Sequence, residues 1–88
     1  MKNIKTKVKA KFIGCRTYEV KIKQGKQKIR KIIYIPRFTT SKKFTRELFK
    51  LEEEIAISDY TVSAYRIYIA LLKASMEVDQ SIPYFLTY

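Results

Sequence analysis

The sequence predicts an α+β fold, a three-stranded antiparallel β-meander followed by two α-helices packed on its apolar face. Up to about residue 37, apolar and polar side chains alternate with the period of two that a half-buried strand requires. From residue 38 onward the apolar positions recur every three to four residues, as they do along one side of a helix. Punctuation is sparse, with only Gly14, Gly25, Pro36 and Pro83, and there is no repeat or linker. The 88 residues therefore suit one small domain, 1–88, with a basic sheet half (1–37) and a helical half (38–88). So small a chain builds a modest core, which makes a homodimer a natural expectation.

The first strand is expected over residues 4–13, where Ile4, Thr6, Val8, Ala10 and Phe12 alternate with Lys5, Lys7, Lys9 and Lys11. Residues 14–16 supply a turn, and residues 17–23 alternate again, with Tyr18, Val20 and Ile22 against Glu19, Lys21 and Lys23. Gln24-Gly25 reads as a two-residue hairpin turn. Residues 26–35 form the third strand, ended by Pro36, which has no N–H to give a ladder. With these turns Phe12 faces Tyr18, Ala10 faces Val20 and Val8 faces Ile22, while Lys9–Lys21–Lys28 and Lys7–Lys23–Lys26 form rows across the sheet. The alternation slips at Lys31-Ile32, which predicts a bulge or strong twist there.

Thr39, Thr40 and Ser41 offer N-cap hydroxyls to a helix carrying Phe44, Leu48, Leu51 and Ile55 at spacings of four, three and four. Lys42, Arg46 and Lys50 form a basic stripe on another side. Ser58-Asp59 reads as a break and new cap, opening a second helix over residues 60–78. That helix is apolar nearly all round, and Val62, Tyr65, Ile69, Leu72 and Met76 are the candidate dimer or partner interface. The apolar, aromatic tail at 81–88 is expected to dock as a short helix or to meet a partner.

Composition narrows the chemistry. Cys15 is the sole cysteine and histidine is absent, so neither a disulfide framework nor an ordinary zinc site is expected. Glu52, Glu53 and Glu54 are consecutive and fan around a helix, and no glycine-rich phosphate loop or nucleophile elbow occurs. The sequence thus predicts no enzyme, no cofactor, no metal and no membrane span, in a cytoplasmic, reducing setting.

Charge carries the functional signal. Net charge is +11, yet residues 1–50 hold +15 and residues 51–88 hold −4. The expected register gathers Lys5, Lys7, Lys9, Lys11, Lys21, Lys23, Lys26, Lys28 and Arg30 on one sheet face, with Glu19 the only acid. Lysines on sheet edges deter aggregation. Lysine rows across a central strand instead set like charges opposite one another, at roughly 0.2–1 kcal/mol per pair, and a polyanion turns that repulsion into attraction. With Lys42, Arg46 and Lys50 these residues are the candidate nucleic-acid contacts. Phe12 and Tyr18 fall on the core side, which leaves Tyr34 as the one candidate outward aromatic for base stacking and favours duplex DNA.

Residues 51–65 (LEEEIAISDYTVSAY) resemble a helix-turn-helix, with Ala56 at the turn; Glu52 and Asp59 depart from that pattern, and a plain helical hairpin closing the core explains the segment as well. From Arg16 to about Ile55, three strands followed by a Thr-x-x-x-Phe helix resemble the arm-type DNA-binding domain of phage and mobile-element tyrosine integrases. Thr61-x-x-x-Tyr65 leading to Leu71-Leu72 is similar to the opening of those enzymes' core-binding domain. The resemblance implies a sheet inserted in the major groove with Lys21, Lys23, Lys28 and Arg30 as contacts, and no recombinase chemistry, because the chain contains no catalytic domain of that family. The expectation is a duplex DNA-binding protein, a regulatory or accessory factor of a virus or mobile element. The alternatives are a protein-interaction module acting through the second helix and tail, and an RNA-binding protein.

Overall fold

The computed structural model describes residues 6–55 and 62–86. Strands β1 (Thr6–Gly14), β2 (Thr17–Gln24) and β3 (Gln27–Tyr34) precede helices α1 (Ser41–Ile55) and α2 (Ala64–Glu77). The sheet is antiparallel in the order β1-β2-β3, with β2 central.

The β1–β2 pairing is the expected one, with Phe12 opposite Tyr18, Ala10 opposite Val20 and Val8 opposite Ile22. Its turn sets Cys15 and Arg16 at φ 47° and 57°, the doubly left-handed pattern whose twist matches two antiparallel strands. A register shift between Phe12 and Gly14 leaves Ile13 as the extra residue of a bulge. Arg16 also fastens the sheet. Its backbone carbonyl accepts from the Ile35 N–H at 3.0 Å, and its Nε donates to the Ile35 carbonyl at 2.8 Å.

The second hairpin corrects two expectations. The turn is Gly25-Lys26, with Gln24 opposite Gln27. Gly25, at φ 57°, thereby takes the first central position, where a left-handed backbone favours glycine. The pairing moves by two residues, so every side chain keeps its face. The expected bulge at Lys31-Ile32 is absent, because the register runs unbroken from Thr17 opposite Tyr34 to Gln24 opposite Gln27. The apparent change of apolar phase has a different cause. Lys31 stays on the covered side, where its Nζ meets Glu54 of α1 at 3.3 Å, and Ile32 and Tyr34 remain on the open face.

Thr40 caps α1, its hydroxyl accepting from the Lys43 N–H at 3.2 Å. Phe44, Leu48 and Ile55 point inward. The second helix starts later than the sequence suggests. Ser63 is its cap, accepting from the Arg66 N–H at 3.3 Å, while Ser58, Asp59 and the supposed helix-turn-helix turn lie outside the described residues. Val62 just before the cap and Ile67 four residues after it are both wholly buried, the arrangement of a hydrophobic staple.

The face of α2 that meets the sheet is Ala64, Ile67, Ala70, Leu71 and Ala74. Three alanines let the helix approach β1 and β2 closely, and α1 packs against α2. Covering the sheet therefore falls mainly to α2. The core joins this face to Tyr18, Val20 and Ile22 of β2 and to Ile35, Phe44 and Leu48. Val62 belongs to the core, so it drops out of the candidate partner surface; Tyr65 and Met76 are exposed, and Ile69 and Leu72 are half-buried. The tail docks as an irregular segment, not as a helix. Phe85 stacks on Tyr68 at 5.2 Å between ring centroids, and the Leu86 N–H donates to the Thr45 hydroxyl at 3.2 Å. Burial of Phe85 against its own helices removes it from any partner-binding tail.

Two stability predictions follow from this packing. α2 ends in a Schellman motif, with the Gln80 N–H on the Ser75 carbonyl (2.8 Å) and the Asp79 N–H on that of Met76 (3.3 Å), which holds Asp79 at φ 55°. Asp79→Gly should raise stability by about 0.5–1 kcal/mol, read as a higher urea midpoint at unchanged m-value. The Tyr18 hydroxyl is buried with no hydrogen-bond partner among the described residues. Burial raises its pKa above the ordinary 10.0, partly offset by the Arg16 charge. The core holds the neutral phenol, so above pH 10.0 the unfolded chain loses this proton first and the fold weakens up to the raised value. Tyr18→Phe should therefore keep or increase neutral-pH stability and flatten the alkaline loss, measured by urea unfolding across that range.

Candidate nucleic-acid interface

The face of the sheet away from the helices is ordered by register. Its first row is Lys7–Lys23–Lys28 and its second Lys9–Lys21–Arg30. The third is Lys11–Glu19–Ile32, and beyond it Thr17 lies opposite Tyr34, with Ile13 next to them on the bulge. Seven cations thus share one surface with one carboxylate. The rows differ from the expected ones because the turn moved: Lys28 stands where Lys26 was expected, Arg30 where Lys28 was, and Lys26 sits exposed in the hairpin turn.

Glu19 is the brace of this surface. Its carboxylate lies 3.4 Å from Lys21 Nζ and 3.1 Å from Arg30 Nε, and its side chain is only 14% exposed. Arg30 reaches it diagonally across the β2–β3 pairing and so ties two strands. Lys7, Lys9, Lys11, Lys23 and Lys28 have no carboxylate within 4 Å among the described residues. Those five are the charges most available to an external anion.

The remaining candidates lie elsewhere. Lys5 falls outside the described residues. Lys42, Arg46 and Lys50 are exposed on α1, in the layer beneath the sheet, and Lys50 pairs with Glu47 at 3.7 Å. They form a second basic surface and do not extend the lysine rows. A cleft of about 470 Å³ separates α1 from β3, floored by Ile33, Phe44, Leu48 and Leu51 and rimmed by Lys31, Lys43, Glu47 and Glu54. Its rim charges are mixed in sign, unlike the open face.

Sequence reasoning singled out Tyr34 as the one outward aromatic but missed Ile32 and Ile13 as part of the same face. The signal was present, since Lys28, Arg30, Ile32 and Tyr34 are spaced by two, but the supposed bulge interrupted it. Among the described residues no three His, Cys, Asp or Glu side chains group so as to hold a metal, and no helix is long and apolar enough to cross a membrane. Cys15 is an exposed free thiol. What the arrangement offers chemically is a patterned polycationic surface. The chain matches no protein-family model, no curated protein and no solved structure, so the integrase likeness rests on its own residues.

Proposed function

We propose that the protein binds duplex DNA through the open face of its sheet, as a regulatory or accessory factor. The observation that carries this reading is the pair of rows Lys7–Lys23–Lys28 and Lys9–Lys21–Arg30, which set like charges opposite one another at four cross-strand positions. Solubility alone needs no such rows, whereas a line of phosphates relieves their repulsion and releases counterions. Dimensions support the fit. Strands 4.7–4.9 Å apart place β1 and β3 about 10 Å from each other, within the ~12 Å width of a major groove. Lysines of the outer strands then face the two phosphate walls, and the long side chains of Lys21 and Lys23 of β2, set midway between them, reach a phosphate on either wall. The integrase-like stretch from Arg16 to about Ile55 supports the same docking and a viral or mobile-element setting.

A second reading, a protein-interaction module, draws support from α2, where Tyr65 and Met76 stand exposed on the side away from the core. The two readings separate on salt. With five phosphates neutralised, the log–log slope of duplex affinity against salt should be about −4.5. A slope near zero would reject the lysine face as footprint. Replacing Lys9, Lys23 and Lys28 together by Gln should flatten the slope by about 2.7 without lowering the thermal midpoint. Parallel titrations with duplex RNA test the RNA alternative.

Glu19 yields a prediction of opposite sign. Glu19→Gln removes the face's one carboxylate and releases Lys21 and Arg30 from their ion pairs. Duplex affinity should rise and the salt slope steepen by up to about 1.8, read by anisotropy titration at several salt concentrations. The same variant should lose a little stability, because the Arg30 brace between strands is gone.

A further inference from the structure

The open face is not uniformly basic. Along β3 it presents Lys28, Arg30, Ile32 and Tyr34 in that order, at steps of roughly 6.8 Å. Ile32 is 51% exposed and Tyr34 62%, and Ile13 at the same end of the sheet is 49% exposed. Phe38, four residues past Tyr34, is 89% exposed, with the Arg37 guanidinium 5.8 Å from its ring centroid. Isolated exposed apolar residues are ordinary on a protein surface. Three that continue the rows of a cationic face, with an exposed aromatic close by in the chain, form a patch with a direction.

We propose that this end of the sheet stacks unpaired bases, so that the preferred ligand is a DNA duplex carrying a single-stranded extension. The inference rests on the duplex-binding reading and sharpens its ligand. Charge complementarity selects the occupant. Within a duplex the flat faces of the bases are hidden by their neighbours, and a side chain on this surface meets only base edges and phosphates. Unpaired bases expose the apolar, polarisable faces that Tyr34 and Ile32 can cover, and the phosphates attached to them continue into the groove held by Lys28 and Arg30. Arg30 and Tyr34 are about 14 Å apart along the strand, which leaves Ile32 and the Lys11–Glu19 row between the phosphate-binding rows and the platform. One nucleic-acid strand thus supplies both chemistries that the face displays, in the order in which it displays them.

The test compares a blunt DNA duplex, the same duplex with a short single-stranded extension, and the same duplex with an abasic extension. Each is titrated with the wild-type chain, Tyr34→Ala and Tyr34→Phe, the fold of each variant being checked by circular dichroism. Stacking of one base is worth roughly 5- to 150-fold in affinity, so the extension should tighten wild-type binding by about tenfold or more. Tyr34→Ala should erase that gain, so that its blunt and extended duplexes bind alike, Tyr34→Phe should retain it, and the abasic extension should give none. The proposal is overturned if the extension gives no gain, if the gain survives Tyr34→Ala, or if the abasic extension gives as much, since phosphates alone would then explain it. Blunt-duplex binding that persists with its steep salt slope in any of those cases leaves the duplex reading standing. A Tyr34-dependent gain without measurable blunt-duplex binding would uphold the platform and sink the duplex reading. An RNA extension on the same duplex distinguishes the sugar.

Discussion

The alternation of the central strand constrains everything else in this molecule. Tyr18, Val20 and Ile22 of β2 are buried, and Glu19, Lys21 and Lys23 between them face outward. A slip of one residue in either pairing would carry two lysines beneath α2 and expose three of the largest core side chains. The desolvation cost of one buried, unpaired ammonium already exceeds what a cross-strand charge repulsion costs in water. The lysine face therefore helps specify the register that creates it. Charges that destabilise the correct pairing slightly would destabilise a slipped pairing far more. The hydrophobic staple of α2 and the clamp of Arg16 on Ile35 then hold the helical layer and the exit of β3 to that sheet.

Much of this was legible in the sequence, for identifiable reasons. The β1–β2 register could be derived because the turn at residues 14–16, joined to a period of two on both strands, places Val8, Ala10 and Phe12 opposite Ile22, Val20 and Tyr18. The β2–β3 faces could also be derived, but not the turn. Shifts of two residues preserve every face, so hydrophobic patterning does not see them, and only the left-handed backbone at Gly25 decides. Lys31 misled for the opposite reason. A lysine in phase with core residues reads as a broken pattern until the carboxylate that receives it, Glu54 on a helix 23 positions later, is placed beside it. Contacts between distant elements leave no local signature. The partner stripe on α2 failed similarly at Val62, because its burial is fixed by where the helix begins and not by its spacing from Tyr65.

The same physics separates the two surfaces of the basic half. On the covered side an unmatched charge is costly, and Lys31 meets Glu54 half-exposed at the sheet edge. On the open side water screens unlike and like pairs alike, so the ion pairs of Glu19 with Lys21 and Arg30 add little to stability by themselves. Their effect is geometric. They draw the Lys21 and Arg30 heads toward the Lys11–Glu19–Ile32 row and leave the first row and the β1 lysines extended into solvent.

Repulsion among those lysines belongs to the free protein and not to its complex. Any polyanion that seats on the rows binds with its own Coulomb attraction plus the relief of the strain that the unbound sheet carries. By linkage, binding also stabilises the fold, by an amount that grows with the free ligand concentration relative to Kd. Salt acts on the two terms in opposite directions. Added ions ease the repulsion in the free sheet and weaken the complex, so the advantage of binding shrinks from both ends as ionic strength rises. A stacking contact at Tyr34 would be nearly immune to that loss, because its attraction is short-ranged and apolar. On the proposed reading, the face would divide a nucleic-acid ligand into a part held by salt-sensitive charge and a part held by contact, arranged along one strand.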